Sequence, residues 1–201
     1  MIVLDVETTG LSPFTCSILS LGAVDLDEPT NQFYDECRIW DGAHVTEEAL
    51  AINGFSKEEI ARADKKSEAE LIAAFVAWAS DRPQDRTLAA QNPSFDLEFV
   101  QEACARAGIM CPFAKRTIDV HSIVWLHMVG RGMTPPVGSY HSLINLDFAL
   151  RYTGVPEEPR PHNALTGALC HAEVIGRIAY NRNIFPDYSS FDIPWLTNNP
   201  S

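Results

Sequence analysis

The chain has no apolar run of bilayer length, no C-x-x-C pair, no repeat, no low-complexity segment and few basic residues. Each absence excludes something. A membrane-spanning helix needs about 20 consecutive apolar residues, so no membrane partner is expected. A first strand expected to begin at Met1 leaves no room for a signal peptide, and the expected location is cytoplasmic. Five cysteines (Cys16, Cys37, Cys104, Cys111 and Cys170) are odd in number. They suit reduced thiols better than a disulfide frame or a structural zinc site. Lys and Arg number 15 against 27 Asp and Glu, a formal net charge of −12. That balance argues against a broad basic face gripping duplex nucleic acid. It does not exclude an enzyme that holds a few nucleotides through cations. The 201 residues make one domain large enough to bury a core.

What is present centres on the first eleven residues. Ile2-Val3-Leu4 is an apolar run suited to a buried central strand. Strand side chains alternate, so Asp5 and Glu7 share a face, and Thr8-Thr9-Gly10 ends the strand just beyond them. Two adjacent carboxylates raise each other's pKa unless a cation joins them, and hard cations such as Mg²⁺ and Mn²⁺ take oxygen ligands of this kind.

Further along, strands are expected over 17–25, 32–40, 87–91 and 116–118. Short helices open at Thr46 and Ser56, and a longer one runs from a capping box at Ser67 and Glu70 to Pro83. More helices are expected from Asn92 to Gly108, 119–128, 142–152 and 164–182. Trp40, Trp78 and Trp125 sit in apolar patterns and read as core. Strands first, then alternating β and α, predict a mixed sheet covered by helices on both faces.

Three stretches carry a resemblance. Asp5-Val6-Glu7-Thr8-Thr9-Gly10-Leu11 resembles the first motif of the DEDD exonucleases, the DnaQ-like group that includes RNase T and oligoribonuclease. Ala90 to Phe99 resembles the second motif, with Asp96 as the third acid. His162-Asn163-Ala164-Leu165-Thr166-Gly167-Ala168 resembles the third, H-x-A-x-x-D-A. Their order and spacing agree with the group over about residues 1 to 180.

The resemblance implies an RNase H-like α/β fold with a five-stranded mixed sheet. It implies a DEDDh exonuclease domain over residues 1–182, with residues 183–201 as a tail packed on it. The implied activity is metal-dependent 3′→5′ hydrolysis of single-stranded DNA or RNA ends to nucleoside monophosphates, using Mg²⁺ or Mn²⁺ in a two-metal site. Asp5, Glu7 and Asp96 are the implied metal ligands, and His162 the implied general base. Thr8, Gly10 and Leu11 are the implied contacts to the nucleic acid. Asn92 and Phe95, beside the second motif, are further candidates for sugar or base, with core packing an equal alternative for Phe95. Lys115, Arg116 and Arg131 are read as the cations nearest the incoming strand. A homodimer or a polymerase partner is also compatible with the group.

One position departs from the pattern. Gly167 stands where the third motif has its acid, so one metal is expected to be weak or absent and the activity impaired. Folding does not account for the glycine, which costs about 1 kcal/mol relative to alanine inside a helix. The alternative is an inactive module that binds 3′ ends without cutting them. His171 lies one turn on, on the same helix face, and its side chain leans back toward position 167. It is a second route by which a ligand can reach the gap.

Overall fold

Alternation along the first strand sets the architecture. In the computed structural model, which describes residues 1–82 and 85–197, β1 (Ile2–Thr8) is buried along nearly its whole length. Ile2, Leu4 and Val6 face one helical layer, while Val3 faces the other. A strand covered on both sides needs apolar residues at successive positions, which Ile2-Val3-Leu4 supplies. β1 pairs antiparallel with β2 (Ile18–Asp25), which pairs antiparallel with β3 (Gln32–Glu36). On its other edge β1 pairs parallel with β4 (Leu88–Ala90), and β4 with β5 (Thr117–Asp119). The five-stranded mixed sheet therefore has the order β3-β2-β1-β4-β5, with β1 at its centre.

The helices are α1 (Glu47–Asn53), α2 (Lys57–Ile60), α3 (Glu68–Ser80) and α4 (Pro93–Ala107). They are followed by α5 (Val120–Gly130), α6 (Leu146–Thr153), α7 (Ala164–Tyr180) and the short α8 (Pro194–Thr197). The layer of α3 and α4 buries Leu71, Phe75, Phe99 and Val100 against the even residues of β1. The layer of α5, α6 and α7 buries Val124, Leu150 and Val174 with Val3. Ser67 and Glu70 form the expected capping box of α3. Pro83, expected to stop that helix, and residues 198–201 of the expected tail lie outside the described residues. Among the described residues no helix is long and apolar enough to cross a membrane.

Several expectations are corrected. β3 ends at Glu36 rather than Trp40, because Arg38 and Ile39 donate instead to the Lys66 and Ile60 carbonyls before α3. α6 begins at Leu146, where Asn145 caps it by accepting from the Phe148 N–H at 2.9 Å. The preceding residues form a tight reversal in which Gly138 donates to the His141 carbonyl. Trp125 is 44% exposed and not core. α5 is apolar nearly all round, so periodicity could not choose its inner face; Val120, Val124 and Met128 take it.

The segment after α7 is held by an ion pair in which both side chains are fully buried. Arg177 Nε donates to Glu173 Oε1 at 2.9 Å. The remaining guanidinium nitrogens donate to the carbonyls of Thr153, Tyr188, Phe191 and Asp192. Glu173 Oε2 accepts from the Ile184 and Phe185 N–H groups. A buried pair is tolerable only when its remaining donors and acceptors are satisfied in this way.

Candidate active site

The end of β1 is fixed from two sides. Asp5 lies opposite Gly22 of β2. A Cβ on Gly22 would overlap the backbone of Ala164 and Leu165, so this glycine allows the first turn of α7 to lie directly on the sheet beside Asp5. Beyond Glu7, the Thr8 carbonyl accepts from Asn53 Nδ2 at 3.1 Å, and the Thr9 carbonyl accepts from the Thr46 N–H at 2.9 Å. A Cβ on Gly10 would come within 2.8 Å of Cys16 Sγ. These contacts pack the turn after the first motif against α1.

Asp96 arrives from the first turn of α4. Its Oδ1 accepts from the Val6 N–H at 3.2 Å, which puts the carboxylate one peptide from both Asp5 and Glu7. α4 can start there because Asn92 takes a left-handed conformation with φ 57°, and its N–H donates to Asp119 Oδ1 at the end of β5. The third motif enters at the head of α7. Asn163 caps this helix by accepting from the Leu165 and Thr166 N–H groups, and its Nδ2 donates to the Tyr34 hydroxyl on β3. His162 is half-buried, with its N–H on the Ile52 carbonyl, and its Nδ1 lies 3.6 Å from Glu158 Oε2.

Two adjoining cavities meet at Val6 and Glu7. One, of about 490 Å³, is apolar and lined by Thr8, Gly10, Leu11, Ala49, Ile52 and Phe95 among others. The second, of about 340 Å³, is lined by Asp5, Glu7, Asp147, Glu158, His162 and His171, with Gln91 and Asn145. Among the described residues, none that lines the second is Lys or Arg. Four of the residues expected to touch nucleic acid therefore line the apolar cavity. Asn92 lines neither; it is spent on the entry to α4, where Ser94 donates to its side chain. Two of the cations read as nearest the strand, Lys115 and Arg131, also lie elsewhere. Lys115 lines a separate depression with Glu98 and Gln101, and Arg131 sits over the Trp195 ring at 5.9 Å. Phe95 does two things, lining the apolar cavity and packing on Phe99 with ring centroids 4.9 Å apart.

The acidic cavity is electrostatically loaded. Burial, and then the charges of Asp96, Glu7 and Glu158, hold the Asp5 carboxyl well above the usual carboxylate range. Burial, with Glu158 beside it, raises Glu7 to about 7. Burial, opposed by backbone donors and reinforced by Glu7, raises Asp96 to about 7. Glu158 is raised as well, mainly by burial. His171 is lowered to about 4 by burial, so it is neutral at pH 7. Its Nδ1 lies 3.2 Å from the Leu4 carbonyl; a carbonyl only accepts, so Nδ1 carries the proton and Nε2 the lone pair.

Clustered, partly protonated carboxylates without a basic neighbour are the donor chemistry of a hard divalent cation. Among the described residues no three His, Cys, Asp or Glu side chains already converge as a coordination sphere. The fit thus lies in donor type and charge. Asp5 and Glu7 at the strand end, with Asp96 behind them, are the residues that would hold such a cation.

Gly167 has a packing role that the sequence reading denied it. A Cβ there would lie 2.8 Å from Asp5 Cγ and 3.2 Å from Asp5 Cβ, and closer still to Oδ2. The Asp5 carboxylate occupies the space that a side chain at 167 would need. Glu158 is the residue that sequence reasoning missed. It sits between prolines in Pro156-Glu157-Glu158-Pro159, outside any motif, and only the folded chain brings it beside Asp5 and Glu7.

Known proteins share this arrangement of elements. Cell-death related nuclease 4 superposes with a TM-score of 0.71 at 16% identity, covering 91% of this chain and 64% of that one. Exonuclease I of E. coli, in complex with a 5cy-dT13 oligonucleotide, gives 0.70 at 16% identity, covering 90% and 40%. The nuclease domain of 3′hExo, a DEDDh family member bound to rAMP, gives 0.69 at 16% identity, covering 92% and 93%. The chain thus spans less than two-thirds of the first two proteins and nearly all of the third domain. At this identity the superpositions establish the fold. The profile of the Exonuclease family (RNase T) matches residues 2–175, and this chain belongs to that family.

Proposed function

We propose that the chain is a metal-dependent 3′→5′ exonuclease that removes nucleoside monophosphates from single-stranded ends. The observation that carries this reading is the pairing of an apolar cavity with an acidic one across Glu7. A terminal base fits against Leu11, Ile52 and Phe95, which places the adjoining phosphate at Asp5 and Glu7. Leu11 is 86% exposed and free to act as a wedge beside that base. A phosphate cannot approach bare carboxylates, so the acidic side requires a cation. A divalent ion bound there would neutralise the phosphate and lower the pKa of an attacking water.

The chain's own groups divide the remaining work. His162, at the cavity wall, takes the proton from the water that attacks phosphorus as the bond to the departing 3′ oxygen breaks. Glu158 Oε2 lies 3.6 Å from its Nδ1, beside the imidazole but beyond hydrogen-bonding distance. Asp96 holds the strand end through the Val6 N–H. The binding of an oligonucleotide by E. coli Exonuclease I and of rAMP by 3′hExo supports the substrate class.

Gly167 favours a second reading, a module that holds ends without cutting them. A labelled single strand incubated with the protein and Mn²⁺ separates the two. The enzyme gives a ladder shortening from the 3′ end, and Asp5→Ala abolishes it. Binding without laddering, unchanged in Asp5→Ala, would replace the enzyme with the module.

A further inference from the structure

We propose that Glu158 supplies the carboxylate that position 167 lacks, completing the ligand set for the cation held by Asp5 and Glu7. This rests on the metal-dependent reading above. Three observations carry it. Glu158 lines the acidic cavity with Asp5 and Glu7, although it lies far from both in sequence and belongs to no motif. It is buried at 9% exposure, yet its polar contacts are long: the Asn163 N–H at 3.5 Å and His162 Nδ1 at 3.6 Å. A carboxylate so enclosed is costly unless something positive completes it. Finally, Gly167, the position without an acid, lies directly against Asp5.

Glu158 adds a third carboxylate beside Asp5 and Glu7 in the cavity, the oxygen donor type that a hard divalent cation takes. The other acid lining the cavity, Asp147, stands in the first turn of α6 and is less buried. His171 offers Nε2, but a neutral imidazole restores no charge, and Mg²⁺ and Mn²⁺ favour oxygen donors. The prolines at 156, 159 and 161 restrict the backbone on both sides of Glu158 and help keep it in place.

The test is calorimetric titration of the full chain with Mn²⁺, together with thermal melts in EDTA. The parent is compared with Glu158→Gln, Glu158→Asp, Asp5→Asn, His171→Gln and the exposed neighbour Glu157→Gln. Glu158→Gln is expected to weaken Mn²⁺ binding at least about tenfold. Glu158→Asp should recover part of that loss, and Glu157→Gln should bind as the parent does. In EDTA at pH 8 the Glu158→Gln melting temperature should equal or exceed the parent's, because a repelling charge is gone. A purely structural role would lower it. Parent-like binding by Glu158→Gln, alongside loss in Asp5→Asn, would overturn the assignment while leaving the metal site standing. Loss in His171→Gln but not in Glu158→Gln would give the position to His171. Absence of Mn²⁺ binding by the parent would overturn both this assignment and the metal-dependent reading.

Discussion

Replacing Gly167 by Asp restores the letters of the third motif, and the structure makes its consequence calculable. The new Cβ meets Asp5 Cγ at 2.8 Å and Asp5 Cβ at 3.2 Å, where ordinary contacts begin at 3.4 Å. The carboxylate of Asp5 can rotate away, but its Cβ is fixed to the central strand. Overpacking of this kind costs about 1–3 kcal/mol. Loss of a mid-helix glycine returns about 1 kcal/mol. Gly167→Ala should therefore lie between neutrality and a loss of about 2 kcal/mol.

The aspartate adds a charge beside acids already pushed upward. At pH 8 a further loss on the order of 1–3 kcal/mol is expected, as for other unpaired buried groups. This increment should shrink at pH 5, where the carboxyls are protonated, and again on adding Mn²⁺. Denaturant unfolding of the parent and both variants, at pH 5 and 8, with EDTA or Mn²⁺, measures each term. Because the incoming acid displaces Asp5 instead of filling a gap, activity should not rise above the parent's. A Gly167→Asp protein as stable as the parent at pH 8 in EDTA would refute the claim that Asp5 fills this space.

Three other outcomes are expected. Gly22→Ala pushes backbone against backbone where α7 crosses β2, with no side chain able to yield. It should cost about 3 kcal/mol or more by denaturant unfolding and abolish nuclease activity by lifting His162 from the site; a loss under 1 kcal/mol would contradict the close approach. The metal-free protein should gain stability as pH falls from 8 to 5. Glu7 titrates near 4.5 unfolded but about 7 folded, so the native state binds the extra proton and its penalty is felt only at higher pH. For Glu7 alone this amounts to about 2–3 kcal/mol, and Asp96 adds less than an equal share because the acids are coupled. Glu7→Gln should flatten the profile, and an unchanged slope would argue against a raised Glu7. Arg177→Ala leaves Glu173 charged and buried, so unfolding should show a loss of about 3–5 kcal/mol, while Arg177→Lys should recover only part.

The sequence determined the order of elements and the first half of the site. Its apolar run made β1 central, and period-two alternation put Asp5 and Glu7 on one face at the strand end. Capping chemistry placed the starts of α1, α2 and α3 at Thr46, Ser56 and Ser67. These are local rules, complete within a few residues. Tertiary structure decided what depends on a neighbour distant in sequence. Which face of α5 is buried could not be read, because apolar residues surround that helix. Arg177 and Glu173 look like a surface helical pair, yet they are fully buried because the segment after α7 folds over them. Gly22 and Gly167 looked unremarkable or costly until α7 was laid on the sheet, where each makes room for a group beside it. Glu158 carried no motif; it lines one cavity with Asp5 and Glu7 only once the segment between α6 and α7 has packed. Strand and helix periods are properties of the chain itself, whereas a cavity lined by carboxylates more than 150 residues apart exists only once the elements pack.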